Sequence, residues 1–274
     1  MTEAQASPLA GIRLHPATGA SALRIARTSY GPVNPQERRI TTGLDSLTGE
    51  SRPSLSAPIA EWSRWDTIGR TIYLADSADA AYAEALAAFR RRTAADVDPL
   101  EADAAAVGLT LEEFLAAVDS DWDEGLFMRT GNLPASWRDA RALYTMAMPS
   151  SGSWIDVAHG DTLAALDGAL GSQLVDLGYE KGLTVADVLG EDRELTVRIA
   201  VALRNHVLPD GSEPLGIVYP SKRGYGTCFA YWMRRLDLGI GAGADDPRPI
   251  RPQEITEQDP ALVRVSNTYH IRVH

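Results

Sequence analysis

Short strand-like and helix-like runs follow one another in this chain without a regular strand–helix–strand rhythm. A doubly wound parallel sheet needs that rhythm, because a helix makes each parallel crossover. The pattern points instead to an α+β fold, a mixed sheet with helices set against it. Strand-like runs are Leu23 to Arg27, Thr71 to Ala75, Ala142 to Met146, Ser153 to Val157, Leu215 to Tyr219 and Thr227 to Met233. The tail from Leu262 to Val273 alternates well enough to add one or two more. Helical runs are Asp76 to about Arg92, Thr184 to Leu189 and Glu194 to His206. Residues 96–126 read as a helical insertion, in which Thr110 and Glu113 make a capping-box pattern. Residues 31–60, rich in Pro, Gly, Ser and Thr, read as a long loop. Residues 1–20 read as a flexible N-terminal arm, and 21–274 as one domain with the insertion at about 93–135.

Composition narrows the function. With 274 residues, 45% of them hydrophobic, the chain can bury a sizeable core. Its formal net charge of -11 makes it a poor general binder of nucleic acid or anionic membrane. An anionic small molecule would need local cations in a pocket, so individual Arg and Lys residues carry the information. The single cysteine, Cys228, excludes an intrachain disulfide and reads as strand packing. The five histidines are scattered, and no metal site is expected. Residues 1–8 lack a secretory pattern, and no apolar run nears the roughly 20 residues of a membrane span. A soluble cytoplasmic protein of bacterial type is expected. The Gly239 to Gly243 run lacks the Lys-Ser/Thr of a phosphate loop and precedes Asp245-Asp246, so it reads as a connector.

Three groups of residues could carry chemistry, and each has a plainer alternative. Glu84 lies at the edge of an apolar stripe made by Tyr82, Ala85, Leu86 and Phe89. Its small neighbours Ala80, Ala81 and Ala88 would let another element pack closely and partly bury the carboxylate, which otherwise is an ordinary solvated glutamate. Arg64 and Arg70 flank a turn beside Trp62, Trp65 and Tyr73. They read as phosphate ligands next to aromatic faces, or as surface charges next to core aromatics. Ser221 follows a strand and precedes Lys222-Arg223-Gly224. It reads as a ligand contact or as the start of a turn. The Gly-x-Ser-x-Gly nucleophile pattern is absent.

Taken in order, three stretches resemble the RES-domain family, named for an Arg, a Glu and a Ser. The first is Arg64-Trp65-Asp66, then Ile72-Tyr73-Leu74-Ala75, then Ala80 to Glu84. The second runs from Arg193 to Ala200, and the third from Gly216 to Gly224. The resemblance spans about residues 20–235. It implies an ADP-ribosyltransferase-like mixed sheet and makes the 21–274 unit a RES-like catalytic domain. It implies an NAD-degrading enzyme that cleaves the nicotinamide–ribose bond. Phosphorolysis would give ADP-ribose 1''-phosphate, and hydrolysis would give ADP-ribose. It further implies the toxin of a toxin–antitoxin pair, held by a helix-turn-helix antitoxin. NAD is then substrate rather than cofactor, and inorganic phosphate is a co-substrate. A second copy of the chain remains open as a further partner.

Carried over by position, Arg64, Glu84 and Ser221 are the catalytic set. Arg64, Tyr73 and Ser221 contact substrate, joined by Arg27 and Tyr30 near the start. In that assignment Arg64 neutralises the pyrophosphate, Tyr73 stacks near the nicotinamide, Glu84 stabilises the ribose cation and Ser221 orients the carboxamide or a phosphate. Asp66 departs from the family, where Asn or His is commoner, and the chain is longer than compact members. Two alternatives remain: an ADP-ribosyltransferase acting on a macromolecule, and a non-catalytic NAD-binding partner protein. The transferase usually carries Glu or Gln two residues before its catalytic glutamate; here that residue is Tyr82.

Overall fold

The computed structural model describes residues 9–44, 51–90, 103–114, 131–243 and 245–274. In chain order the strands are β1 Leu14–Pro16, β2 Ser21–Arg27, β3 Ile40–Leu44, β4 Ser51–Leu55, β5 Thr71–Ala75, β6 Asn132–Leu133, β7 Arg141–Ala147, β8 Ser153–Asp156, β9 Gly216–Pro220, β10 Thr227–Trp232, β11 Arg248–Glu254 and β12 Arg272–Val273. The helices used below are α1 Ala78–Ala85, α2 Ala135–Asp139, α3 Gly160–Asp176, α4 Val185–Val188, α5 Arg193–Arg204, α6 Arg234–Asp237 and α7 Pro260–Tyr269. Eight strands form one sheet in the order β1-β8-β9-β10-β5-β2-β7-β11. Its pairs are antiparallel except β8–β9, which is parallel. The fold is therefore α+β with a mixed sheet, as the irregular element order requires.

The period of two along each strand divides the apolar residues between two layers. Ile217, Tyr219, Cys228, Ala230 and Trp232 face a core completed by α1, α3, α5 and α7. Ile72, Leu74, Val218 and Tyr231 face a smaller layer with Ala22, Met146 and Trp154. Helices thus cover one face of the sheet. Gly216 is required where β9 crosses β10, because a Cβ there would collide with the Ala230 carbonyl oxygen. Strand β11 closes one edge. Its Pro249 and Pro252 cannot donate to a ladder, which confines them to an edge and discourages further pairing.

Several elements differ from the sequence expectation. Within the expected loop at 31–60, β3 and β4 form an antiparallel hairpin from Ile40↔Leu55 to Leu44↔Ser51. Its β-branched run Ile40-Thr41-Thr42 suits a strand. Leu14–Pro16, part of the expected arm, pairs with β8 at the sheet edge. Helix α1 ends at Ala85 rather than near Arg92, and a 3-10 turn, Ala87–Phe89, follows. That turn buries Phe89 edge-on against Trp137 at 6.1 Å. The tail forms α7 instead of strands, apart from β12. Asp259 caps α7 through the Ala261 N–H, Pro260 opens it, and Leu262, Val265, Ser266 and Tyr269 bury one face at helical spacing. In helix α3, Leu163, Leu166, Leu170 and Leu174 repeat at helical spacing and are all buried.

Of the expected insertion, residues 93–102 and 115–130 lie outside the described residues. The described parts include helical turns at 103–106 and 111–114. The capping box is formed: Glu113 Oε2 accepts from the Thr110 N–H at 2.9 Å, and Thr110 Oγ1 accepts from the Glu113 N–H at 3.2 Å. Among the described residues, no helix is long and apolar enough to cross a membrane.

Candidate active site

Glu84 is carried by α1, whose start is fixed by Ser77. The Ser77 hydroxyl accepts from the Ala80 N–H at 3.2 Å, the ordinary N-cap contact. Ala80, Ala81, Tyr82 and Ala83 are buried, so the helix packs tightly and leaves Glu84 half-buried in its last turn. Two further contacts lock it. The Tyr82 hydroxyl donates to Asp259 Oδ2 at 2.8 Å, and the Tyr269 hydroxyl donates to the Ala83 carbonyl at 3.2 Å.

Ser221 reaches Glu84 from the other half of the chain. Its hydroxyl donates to Glu84 Oε1 at 2.6 Å across 137 positions of sequence. It also accepts from the Arg223 N–H at 3.2 Å. The loop holding it is closed on itself, with the Ser221 N–H on the Gly226 carbonyl at 2.7 Å and the Gly224 N–H on the Ser221 carbonyl at 2.9 Å. The same loop is fastened to the start of α1. Asp76 Oδ2 accepts from the Thr227 N–H at 2.9 Å, and the Ser77 hydroxyl donates to the Tyr225 carbonyl at 3.3 Å. Gly226 permits this approach: its φ is +124°, and a Cβ there would stand 2.5 Å from Asp76 Oδ1. A serine has one proton to give. Here it goes to Glu84, so Ser221 holds the carboxylate and offers only its remaining lone-pair capacity to a ligand.

Arg64 is buried, with 9% of its surface exposed. Its Nε donates to the Gly190 carbonyl at 3.2 Å, and its guanidinium lies 6.0 Å from the Tyr219 ring centre. Burial lowers its pKa, the Tyr219 and Glu84 charges oppose that, and the Arg193 charge adds to it. The turn that presents Arg64 is organised by Asp66. Asp66 Oδ1 accepts from the Tyr73 hydroxyl at 2.8 Å, and Oδ2 accepts from Arg38 Nε at 2.9 Å and from the Ser63 N–H at 3.0 Å. The Tyr73 hydroxyl in turn accepts from the Trp65 N–H at 3.0 Å. Burial first, then the Asp66 charge, push the Tyr73 pKa well up, so it stays a neutral phenol. Its hydroxyl is fully used in holding the turn, while its ring lines the cleft.

Asp66 therefore carries a structural load that Asn or His would share differently. Removing it as Asp66→Ala leaves a nearly buried Arg38 guanidinium and the half-buried Tyr73 phenol without their acceptor. A loss of roughly 3 kcal/mol in unfolding free energy is expected, read by urea denaturation. Tyr73→Phe, which removes two hydrogen bonds but no charge, should cost about 1–2 kcal/mol. Equal costs for the two variants would contradict the central position of Asp66.

These residues line a cleft of about 400 Å³ that holds Arg64, Tyr73, Glu84, Arg193, Tyr219 and Arg24 on its wall. It opens where β2 and β5 part, since those strands pair only at Leu23↔Ala75. Arg24 fills that gap, with one guanidinium nitrogen on the Tyr73 carbonyl at 2.9 Å. Its Nε is buried without a partner, and burial lowers its pKa to about 10. A second cavity, about 430 Å³, lies over apolar residues such as Met148, Trp154 and Phe229, with no Arg or Lys on its wall. It is unsuited to a diphosphate.

Four of the expected residues meet at the first cleft: Arg64, Tyr73 and Glu84 line it, and Ser221 bonds to Glu84. Arg27 and Tyr30 do not line it. Arg27 ends β2 opposite Arg141, and Tyr30 is 63% exposed. The basic residue that does reach the cleft is Arg24, and its signal was present: a charge in the middle of the apolar strand Ala22-Leu23-Arg24-Ile25-Ala26. Arg193 was also passed over as a site residue. It stands in the first turn of α5, where the helix dipole disfavours a cation. A residue that breaks a local rule in this way is a candidate for function. Cys228 lines the cleft as a packing residue, its thiol pushed up to about 12, chiefly by burial.

No family model matches the chain, and no curated protein matches it. A solved structure described as the crystal structure of the M. tuberculosis MbcT–MbcA toxin–antitoxin complex is similar at 13% identity, covering 95% of this chain and 92% of that chain, with a TM-score of 0.43. The likeness is loose, and nothing about the activity or partners of this chain follows from it.

Proposed function

We propose that this chain degrades NAD by breaking its nicotinamide–ribose bond. The observation that carries the reading is the Glu84–Ser221 pair set in a cleft among Arg24, Arg64 and Arg193. Although the chain carries a net charge of -11, three arginines line this cleft, as an anionic substrate requires. Arg64 and Arg24 take the diphosphate of NAD. Tyr73 and Tyr219 offer aromatic faces to its rings. When the bond breaks, its electron pair leaves with the nicotinamide nitrogen, which becomes neutral. The ribose carbon is left as an oxocarbenium ion. Glu84 lies in the cleft to stabilise that charge, and the Ser221 proton keeps the carboxylate oriented. An oxygen of inorganic phosphate then bonds to the carbon, giving ADP-ribose 1''-phosphate. Water in its place gives ADP-ribose and a released proton. Phosphorolysis is the route the RES resemblance favours. The same resemblance supports a toxin neutralised by a helix-turn-helix antitoxin in the cytoplasm.

A transferase acting on a macromolecule fits less well. The position two residues before Glu84 is Tyr82, whose side chain is buried with its hydroxyl on Asp259. No acidic or amide side chain stands there to meet an acceptor. Incubating a cell lysate with adenine-labelled NAD and the protein separates the two. The proposal expects the label in small molecules. Label retained on protein or nucleic acid would replace it with the transferase reading.

A further inference from the structure

We propose that Arg193, with Arg64 and Lys222, forms a subsite for a phosphoryl oxyanion beside Glu84. The starting observation is an imbalance of charge. Arg64 and Arg193 both line the cleft, and the Arg193 charge helps to lower the Arg64 pKa. Lys222 follows Ser221 directly. It is joined to Arg193 through Glu191, whose two oxygens are divided between them: Oε2 takes Arg193 at 2.8 Å and Oε1 takes Lys222. The Glu191 side chain is 64% exposed, so solvent screens it and it offsets little of the local charge. Lys222 is much less exposed, at 19%. Burial lowers its pKa first, the Arg64 and Arg223 charges lower it further, and the Glu84 charge opposes them with a smaller effect. The group as folded therefore repels itself.

The second observation is independent of charge. One terminal nitrogen of Arg193 is buried and has no hydrogen-bond partner, and neither has the Nε of Arg223 next to Lys222. Buried donors left unpaired cost free energy. A tetrahedral oxyanion supplies acceptors to several donors at once and relieves the repulsion in the same step. A guanidinium in the first turn of α5 opposes the helix dipole, so packing alone does not account for it.

The inference deepens the reading above and rests on it for the source of the anion. That source is either the free inorganic phosphate that attacks the ribose or the diphosphate of NAD. The probes are inorganic phosphate and pyrophosphate, added to the full chain and followed by thermal shift and by tryptophan fluorescence, since Trp62 lines the cleft. Arg193→Leu is expected to weaken binding of the anion by about tenfold, and Arg193→Lys to restore part of it. Lys222→Met should weaken it in the same direction and serves if Arg193→Leu folds poorly. Arg248→Leu, on the exposed strand β11, should change nothing. In steady-state turnover, a raised KM for phosphate assigns the subsite to the free ion. A raised KM for NAD alone assigns it to the diphosphate. Unchanged affinity for both probes in folded Arg193→Leu and Lys222→Met overturns the proposal, as does a wild-type protein that binds neither probe. The binding arm requires no turnover. A protein that binds phosphate at Arg193 without consuming NAD would refute the NAD-degrading reading and leave the subsite standing.

Discussion

Glu84→Gln is expected to lower NAD consumption by at least about a hundredfold while leaving the fold and NAD binding nearly intact. A hundredfold corresponds to about 2.7 kcal/mol of transition-state stabilisation. The geometry explains why the loss falls on turnover. Glutamine has the same size, so α1 keeps its packing against α7 and its two tyrosine contacts. An amide oxygen can still accept the Ser221 proton at the position where Glu84 Oε1 now takes it at 2.6 Å. What disappears is the negative charge that opposes the ribose cation, and that cation exists only on the way to products. Intact NAD carries its positive charge on the nicotinamide ring and not on the ribose, so its binding depends less on Glu84 than the transition state does. The variant should therefore bind NAD by calorimetry and fail to consume it. Near-normal consumption would remove Glu84 from the chemistry.

Arg64→Ala should act on the other side of the same cleft and weaken NAD binding by about a hundredfold. A buried guanidinium on a diphosphate makes charge-assisted, paired hydrogen bonds that water replaces poorly. The Nε of Arg64 is already held by the Gly190 carbonyl, which leaves the terminal nitrogens to meet the ligand. Arg64→Lys keeps a charge but not the planar fork, and should recover only part of the affinity. Arg64→Ala also removes a cation from a self-repelling group, so a modest gain in thermal stability without ligand is consistent with the account. An unchanged affinity for NAD would show that the diphosphate lies elsewhere.

The local parts of this site were legible in the sequence. Thr71–Ala75 is a strand over the residues its pattern marked, because β-branched and aromatic residues there are bounded by turn residues. Ser221 was expected at the end of a strand facing a loop, and it is there. The alanine neighbours of Glu84 left both a partly buried and a solvated carboxylate open, and the structure half-buries it. The joining of Ser221 to Glu84 was not legible from spacing, since nothing local connects residues 137 positions apart. The role of Tyr73 shifted for a related reason. Its hydroxyl is committed to Asp66, and that contact depends on how a turn folds back over β5. The resemblance points to Arg27, and Arg24 is equally basic three residues earlier on the same strand. Only the parting of β2 from β5 tells them apart. The tail reads as strand because Val263, Val265, Tyr269, Ile271 and Val273 fit a period of two; the Asp259 cap and Pro260 decide for helix.

The central claim, cleavage of the nicotinamide–ribose bond at Glu84, is tested most directly by mass spectrometry of NAD incubated with the purified protein, with and without inorganic phosphate. The account predicts that NAD disappears and nicotinamide accumulates, together with a product of the mass of ADP-ribose 1''-phosphate when phosphate is present. Intact NAD after hours with folded wild-type protein in both conditions would contradict it.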